Sequence, residues 1–190
     1  VVVGGLIGSL VGFVRGKTET VFMALIDVLL AFPALVLLLA LISIFEVRDL
    51  FVISMVIGLL SIPAYTRVSR ANSLAISNRE FVLAAQAIGT KRWTILRREI
   101  IPNVLPTLLA YAMVAAAAVV VVEGSLSFLG LSVQLPQSSW GNMINQARRD
   151  IKVNFGQILY PSMILTMTVL ALNQVGDFFQ RRSAFRGSSL

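Results

Sequence analysis

Four long stretches of the chain carry no Asp, Glu, Lys or Arg. They are residues 28–45 (18 residues), 50–66 (17), 100–122 (23) and 153–176 (24). A helix rises ~1.5 Å per residue, so a hydrocarbon core ~30 Å thick takes about 20 residues to cross. Each stretch therefore predicts a spanning helix. Residues 1–14 form a fifth uncharged, apolar run of 14. It is expected to be the end of a span whose beginning lies before the first residue. No basic segment precedes it and no A-x-A-like site follows it, which argues against a signal peptide. The pattern predicts an all-α membrane protein, a polytopic helical bundle of five spans with the first partly truncated. The whole of 1–190 is expected to be one transmembrane domain.

Special residues punctuate these spans. Gly4, Gly8 and Gly12 recur every four positions in the first. On a helix they share one face and would let another helix approach closely. Chance in an apolar segment explains them equally well. The second span is predicted over 21–44, with Pro33 kinking it and Asp27 near its inner end. A carboxylate there serves a pathway or sits at the interface, and its two-turn distance from the loop favours the interface. The third span is predicted over 50–66, with Pro63 near its inner end and Arg67 and Arg70 closing it. Pro102 and Pro106 suit the start of the fourth. Its run of small residues, Ala115 to Ala118, suits close packing, and it ends near Glu123. The fifth is predicted over 155–179, with Pro161 near its start and Asn173 and Gln174 near its inner end. Between the last two spans, residues 134–152 are polar. Pro136 and Gly141 are expected to break this stretch, Trp140 suits a membrane interface, and 140–150 suit a short helix.

Composition supports a membrane as the solvent. Hydrophobic residues make up 57% of the chain and charged residues 13%, with a mean hydropathy of +0.85. A soluble domain carries about 25% charged residues. The net charge of +7 would raise nucleic acid in a soluble protein. Here the basic residues lie between apolar spans, so topology accounts for them and no nucleic-acid partner is expected. With five spans, twelve Lys and Arg fall on one side of the membrane and four on the other. The richer side is expected to be cytoplasmic, which places the C-terminus inside.

Chemistry is sparse. There is no Cys and no His, so disulfides, thiol catalysis and the commonest metal ligand are excluded. No cluster suits a metal, and no Ser has a His base. Gly12, Gly16, Lys17 and Thr18 imitate a phosphate-binding loop. However, only three residues separate the glycines where four are required, and a spanning helix precedes them where a strand is required. The chain is not expected to bind ATP, to hold any cofactor or metal, or to be an enzyme.

Residues 77–98 differ from the rest. They are too polar to span and too long for a plain turn. They predict two short helices broken at Gly89, which suits the position just past a helix end, with Thr90 capping the next helix. Phe81, Ala84, Ala85 and Ile88 recur at helical spacing. Trp93, Leu96 and Ile100 form an apolar stripe with Lys91, Arg92, Arg97 and Arg98 around it. Such an amphipathic pair lies on a membrane, packs on its own protein or meets a partner. Composition does not separate these.

Leu83-Ala84-Ala85, then Gly89 after three residues, then Glu99-Ile100-Ile101-Pro102 after nine resembles the "EAA" loop of ABC importer permeases. That pattern is E-A-A, three residues, G, nine residues, I-x-L-P. Asp27 to Pro33, Glu123 to Leu131 and Ser139 to Ile144 are similar to stretches of the dipeptide/oligopeptide/nickel branch of that family. The blocks occur in the family's order and cover nearly the whole chain. Two departures stand out. Leu83 takes the place of the acidic head, with Glu80 three residues earlier, and Glu99 stands where Ile is often found.

The resemblance implies the core of a type I importer permease in the plasma membrane of a prokaryote. It implies a transmembrane subunit of an ATP-driven, binding-protein-dependent importer for di- or oligopeptides. Nickel or another small solute is the alternative within the family. An ion-coupled secondary transporter is the alternative of another class, with Asp27 and Glu123 as its only candidate carboxylates. The implied partners are a second homologous permease subunit, two ABC ATPase subunits carrying ATP and Mg, an extracytoplasmic substrate-binding protein and membrane lipid. The coupling loop 77–98 would dock on the ATPase through Glu80, Leu83, Ala84, Ala85, Gly89, Lys91, Arg92, Trp93, Leu96, Arg97 and Arg98. Small residues would permit close approach, Trp93 and Leu96 would give a buried contact, and arginines would give charge complementarity. Asp27, Pro33, Glu123, Ser125 and Phe128 are candidates for the pathway or for packing. Trp140, Asn142, Arg148 and Arg149, in the extracytoplasmic loop 134–152, are candidates for contact with the binding protein.

Overall fold

A computed structural model describes residues 1–45, 50–129, 138–152 and 154–188. Among them the ordered elements are helices: α1 (Val2–Val14), α2 (Lys17–Ala31), α3 (Ala34–Phe45), α4 (Leu50–Ser77), α5 (Glu80–Ala87), α6 (Arg92–Ile95), α7 (Ile101–Phe128), α8 (Trp140–Ala147) and α9 (Gly156–Ser188). Three stretches are long and apolar enough to cross a membrane: Phe51–Ser77, Arg92–Phe128 and Gly156–Arg181. The α2–α3 pair makes a fourth if it is counted as one broken span. The fifth apolar run is α1, a helix of 13 residues. The predicted loop at Glu46, Arg48 and Asp49, and the predicted break at Pro136, lie outside the described residues.

Prolines explain where the structure departs from the predicted spans. At Pro33 the second span does not kink but breaks, α2 ending at Ala31 and α3 beginning at Ala34. Phe32 is extended (φ −76°, ψ 133°), as expected for a residue whose backbone the following proline ring excludes from the helical region. Pro63, by contrast, sits inside α4. The third span does not close at Arg67 and Arg70 but continues to Ser77. Pro102 and Pro106 likewise do not start a helix. The chain is helical from Arg92 through to Phe128, interrupted by a π-turn at Leu96–Ile100. In that turn the Ile101 amide donates to Leu96 O. Pro102 has no N–H for the carbonyl four residues earlier, and a π-turn beside it absorbs the lost bond.

Chain contacts cluster into two compact units. One comprises Val1–Pro33, Leu60–Ala112 and Gln180–Leu190, and the other Ala34–Leu59 and Met113–Phe179.

In the first unit α1 packs parallel to α4, and its glycine stripe is the contact. A Cβ added at Gly4 would lie 2.7 Å from Ile62 O, and one at Gly12 2.7 Å from Arg70 O. One at Gly8 would overlap Thr66 O and Ser69 Cβ. The spacing of four is therefore a packing face and not chance. Hydroxyls fill the seam. Ser69 Oγ donates to Gly5 O (2.6 Å), Ser9 and Ser69 meet at 2.9 Å, and Ser73 Oγ donates to Ser9 O (2.9 Å). Because Ser69 spends its one proton on Gly5, Ser9 is the donor to Ser69. Thr66, Ser69, Ser73 and Ser77 are all buried at spacings of three and four, a polar stripe on α4 that faces protein. The large side chains of α1 point the other way: Val2 is 72% exposed, and Val3 and Leu6 are also exposed. Small polar groups inside and aliphatic groups outside suit a helix whose outer face meets lipid or another subunit.

In the second unit α8 packs on α7. Gly141 does not break the polar stretch but lies inside α8, where a Cβ would run into Gly124 O and lie 2.7 Å from Ser127 Cβ. Gly176 of α9 meets Val114 of α7 in the same way, at 2.6 Å from Val114 Cγ2. Only 6% of the apolar window of α9 is buried within the chain. The rest of that surface is apolar and has to be covered by lipid or by protein.

Candidate functional site

The segment 77–98 folds as two short helices around Gly89. Helix α5 ends in a Schellman turn. The Gly89 amide donates to Gln86 O (3.0 Å) and the Thr90 amide to Ala85 O (3.1 Å). Gly89 has φ +78°, the left-handed conformation that a residue without Cβ adopts at low cost. Thr90 is thus the last residue of this turn and does not cap the next helix. Lys91 holds the N-cap of α6, without a side-chain bond, and Lys91 O accepts from the Thr94 amide (2.9 Å). The helix does not depend on that cap, because it continues into α7.

Burial divides the predicted docking residues into two sets. Ile95, Leu96 and Ile100 are buried at 3% exposure or less. Leu96 is therefore a core residue that roots the loop, and it is not available for a partner contact. Trp93, on the other side of the turn, is 65% exposed, and Ile88 is 83% exposed. The predicted stripe of Trp93, Leu96 and Ile100 is thus not one face. Phe81, Leu83 and Ala84 on α5 are exposed, Ala85 is half-buried, and Val82 is the residue that anchors α5 inward. Glu80, Lys91, Arg92, Arg97 and Arg98 are exposed around this surface. The result is a short helix with large apolar groups outside, held by a buried root.

A cleft of about 480 Å³ opens beside this helix, where the ends of α1 and α4 meet α5 and α6. Phe13, Val14, Arg15, Ser77, Asn78, Leu83, Gln86, Thr90 and Arg92 line it. Arg15 Nη2 donates to Asn78 Oδ1 (2.9 Å), which ties the α1–α2 corner to the α4–α5 corner. These two corners were predicted to lie on one side of the membrane. Gly16, the centre of the false phosphate loop, belongs to a helix-to-helix corner (φ +81°). No strand precedes it.

The remaining candidates lie elsewhere. Asp27 of α2 pairs with Arg67 of α4 (2.5 Å), both sides being more than half exposed. Glu19 pairs with Arg70 across the same two helices and is much less exposed. Sequence reasoning did not find this second pair. The signal available was the alternation of Glu19 and Asp27 opposite Arg67 and Arg70. Pro33 marks the break already described. In the second unit Ser127 Oγ donates to Glu123 Oε1 (2.6 Å) and meets Ser139 Oγ at 2.7 Å. Ser139 caps α8 by accepting from the Asn142 amide (3.3 Å). Ser127 has given its proton to Glu123, so Ser139 is the donor between the two serines. Ser125 Oγ bonds back to Val121 O (2.8 Å) and is packing-neutral. The Arg148 guanidinium lies 5.7 Å from the centre of the Phe128 ring. Glu123, Ser138, Ser139, Trp140 and Met143 share a second, smaller cavity of about 390 Å³. Asn142 is half-buried, while Arg148 and Arg149 are exposed. Among the described residues no group of His, Cys, Asp or Glu could hold a metal.

Comparison with known proteins fits this arrangement. The family described as "Binding-protein-dependent transport system inner membrane component" matches residues 4–187. The chain is 33% identical to a glutathione transport system permease protein of Pectobacterium atrosepticum over 175 residues, 92% of this chain and 58% of that protein. It is 33% identical to an oligopeptide transport system permease protein of Haemophilus influenzae over 177 residues, 93% of this chain and 57% of that one. A glutathione transport system permease protein of Escherichia coli is 34% identical over 165 residues, 87% and 54% respectively. The chain thus spans a little over half the length of the curated relatives it matches.

Proposed function

The chain belongs to the family of binding-protein-dependent transport system inner membrane components, and on that footing we propose that it is a transmembrane subunit of an ATP-driven importer of short peptides. It would form half of a translocation pathway with a second, similar permease. Two cytoplasmic ABC ATPases would bind ATP and Mg, and an extracytoplasmic binding protein would deliver the substrate. No chemical step falls to this chain. The peptide class follows its relatives, which are permease proteins of glutathione and oligopeptide transport systems.

The observation that carries the reading is the apolar surface left exposed around α5. Phe81 and Ile88, seven residues apart, share one side, and Leu83 and, beyond the turn, Trp93 are exposed as well, in a segment too polar to span. Water does not favour such a face, and a rigid partner surface would bury it. Its root is stiff, because Val82, Ile95, Leu96 and Ile100 are buried and α6 runs without a cap into spanning helix α7. Motion of an ATPase would therefore reach α7 as a push on a rod and not be lost in a loose loop. The alternation of spans and the excess of basic residues at 67–98 support a cytoplasmic location for the loop and for the C-terminus.

The test is purification of the full-length native subunit in mild detergent, with mass spectrometry of what stays bound. Two ATPases and a second permease are expected. Gly89→Asp should release the ATPases and keep the permease. Recovery of the subunit alone, under conditions that keep a known importer intact, would overturn the reading.

A further inference from the structure

We propose that the cleft between Arg15 and Arg92 takes up a carboxylate side chain of the partner ATPase, so that this subunit supplies the positive half of a contact whose acidic half lies on the partner. The proposal rests on the importer reading above and deepens it. Four observations on this one site lead to it.

The cleft is concave and roomy, at about 480 Å³, and both guanidinium-bearing residues line it. Its other polar lining comes from Ser77, Asn78, Gln86 and Thr90. No acidic residue lines it. The described ion pairs are Asp27–Arg67 and Glu19–Arg70, so among the described residues neither Arg15 nor Arg92 meets a carboxylate. Two cations facing one concavity repel each other, and an anion between them relieves that cost.

Arg15 is also held in an unusual backbone. It is the non-glycine residue with positive φ among those described, at φ 58° and ψ −176°. That region is almost reserved for glycine. The corner is held by the Arg15 amide on Val11 O and by the side-chain bond to Asn78. The bond to Asn78 fixes the guanidinium at this corner of the cleft.

Leu83 lines the same cleft. This is the position at which the EAA pattern carries its acid. A carboxylate there would share the cleft with Arg15 and Arg92 and supply it with an anion from within the chain. With leucine the arginines stay unpaired, and the acid has to come from outside. The departure at Leu83 therefore reverses which side brings the negative charge. The neighbouring exposed residues of the segment, Arg79, Lys91, Arg97 and Arg98 against Glu80, keep the surroundings basic and favour an acidic partner surface.

The experiment uses the full-length subunit with its second permease in nanodiscs, and the ATPase subunits that co-purify with the native complex as the probe. Their affinity is measured at 50 and 300 mM NaCl. The wild-type affinity is expected to fall with salt, since the contact is charged. R92Q should weaken binding about tenfold at low salt and flatten the salt dependence. R15Q should do the same, with Asn78 exposed to a shorter partner. L83E should also weaken binding, by offering the arginines an internal carboxylate, and R92Q should add little on top of it. Should R15Q fail to fold, R92Q and L83E carry the test without it. Unchanged affinity in R92Q and L83E, or tighter binding of L83E, would overturn the proposal. So would loss of anionic-lipid binding in the arginine variants with ATPase affinity intact, which would assign the cleft to a headgroup. Failure of the wild-type permease pair to bind any ATPase would instead bring down the importer reading itself.

Discussion

Helices α1 and α5 both carry small residues and use them to opposite ends. Both are short: α1 has Gly4, Gly8 and Gly12 four apart, and α5 has Ala84 and Ala87 three apart. On α1 the small face is covered by α4 of the same chain, backbone against backbone, with serine hydroxyls bridging the seam. On α5 Ala84 and Ala87 lie open, as do Phe81 and Ile88. Small residues at a spacing of three or four state only that something comes close. They do not state whether it is the chain's own helix or another protein. The α7–α8 contact repeats the first arrangement, with Gly141 against Gly124 and Ser127 bonded to Ser139. The chain therefore uses glycine-and-serine seams at these two contacts with itself, and leaves alanine with large apolar groups exposed on α5.

The comparison can be broken most severely at Gly8. Gly8→Val should drive a side chain into Thr66 O and Ser69 Cβ, where only backbone movement relieves the overlap. A loss of about 2–3 kcal/mol is expected, read as a lower midpoint of thermal or SDS unfolding of the full-length subunit in detergent. Gly58→Ala on α4, with nothing within 4 Å of an added Cβ, should leave that midpoint nearly unchanged.

A smaller effect is expected at the hydroxyl seam. Ser69→Ala strips a donor from Gly5 O and an acceptor from the Ser9 hydroxyl, at a cost of about 1 kcal/mol. A double variant of Ser9→Ala and Ser69→Ala should cost less than the sum of the two single changes, since the pair is one unit. Strict additivity in the unfolding midpoints would mean that the two serines do not interact.

The smallest stability effect, and the sharpest contrast, belongs to Ile88→Asp. The side chain is 83% exposed, so folding should change by about 0.5 kcal/mol or less. ATPase binding should fall about tenfold or more, because a charge would be buried in an apolar contact. A large loss of stability in the isolated subunit would show instead that α5 packs on its own chain, and the contrast with α1 would collapse.

Much of this was legible without coordinates. Uncharged runs located the membrane helices because lipid tolerates no unpaired charge along 20 residues. The break in 77–98 was legible at Gly89 because few other residues accept a left-handed turn. The prolines misled. Pro33 broke a span that was expected only to bend, while Pro102 and Pro106 stayed inside a helix expected to start there. A proline removes one donor wherever it stands, and whether the helix bends, breaks or absorbs the loss in a π-turn depends on what packs around it. Trp93 and Leu96 misled for another reason. They are three residues apart and so lie about 60° apart around a regular helix, yet Leu96 is buried and Trp93 is exposed: the boundary between the inner and outer faces runs between them.

The amino-acid sequence by itself determined the solvent, the helical class and the number of apolar runs. Those properties follow from composition and period, which are local. Tertiary structure alone decided which faces are spent inside the chain. It showed that the α1 glycines meet α4, that the buried serines belong to that seam, that Leu96 is core, and that Arg15, Leu83 and Arg92 line one cleft although they are far apart in sequence. The reason is that a side chain's partner is fixed by close packing across helices, and close packing depends on positions that no stretch of neighbouring residues contains.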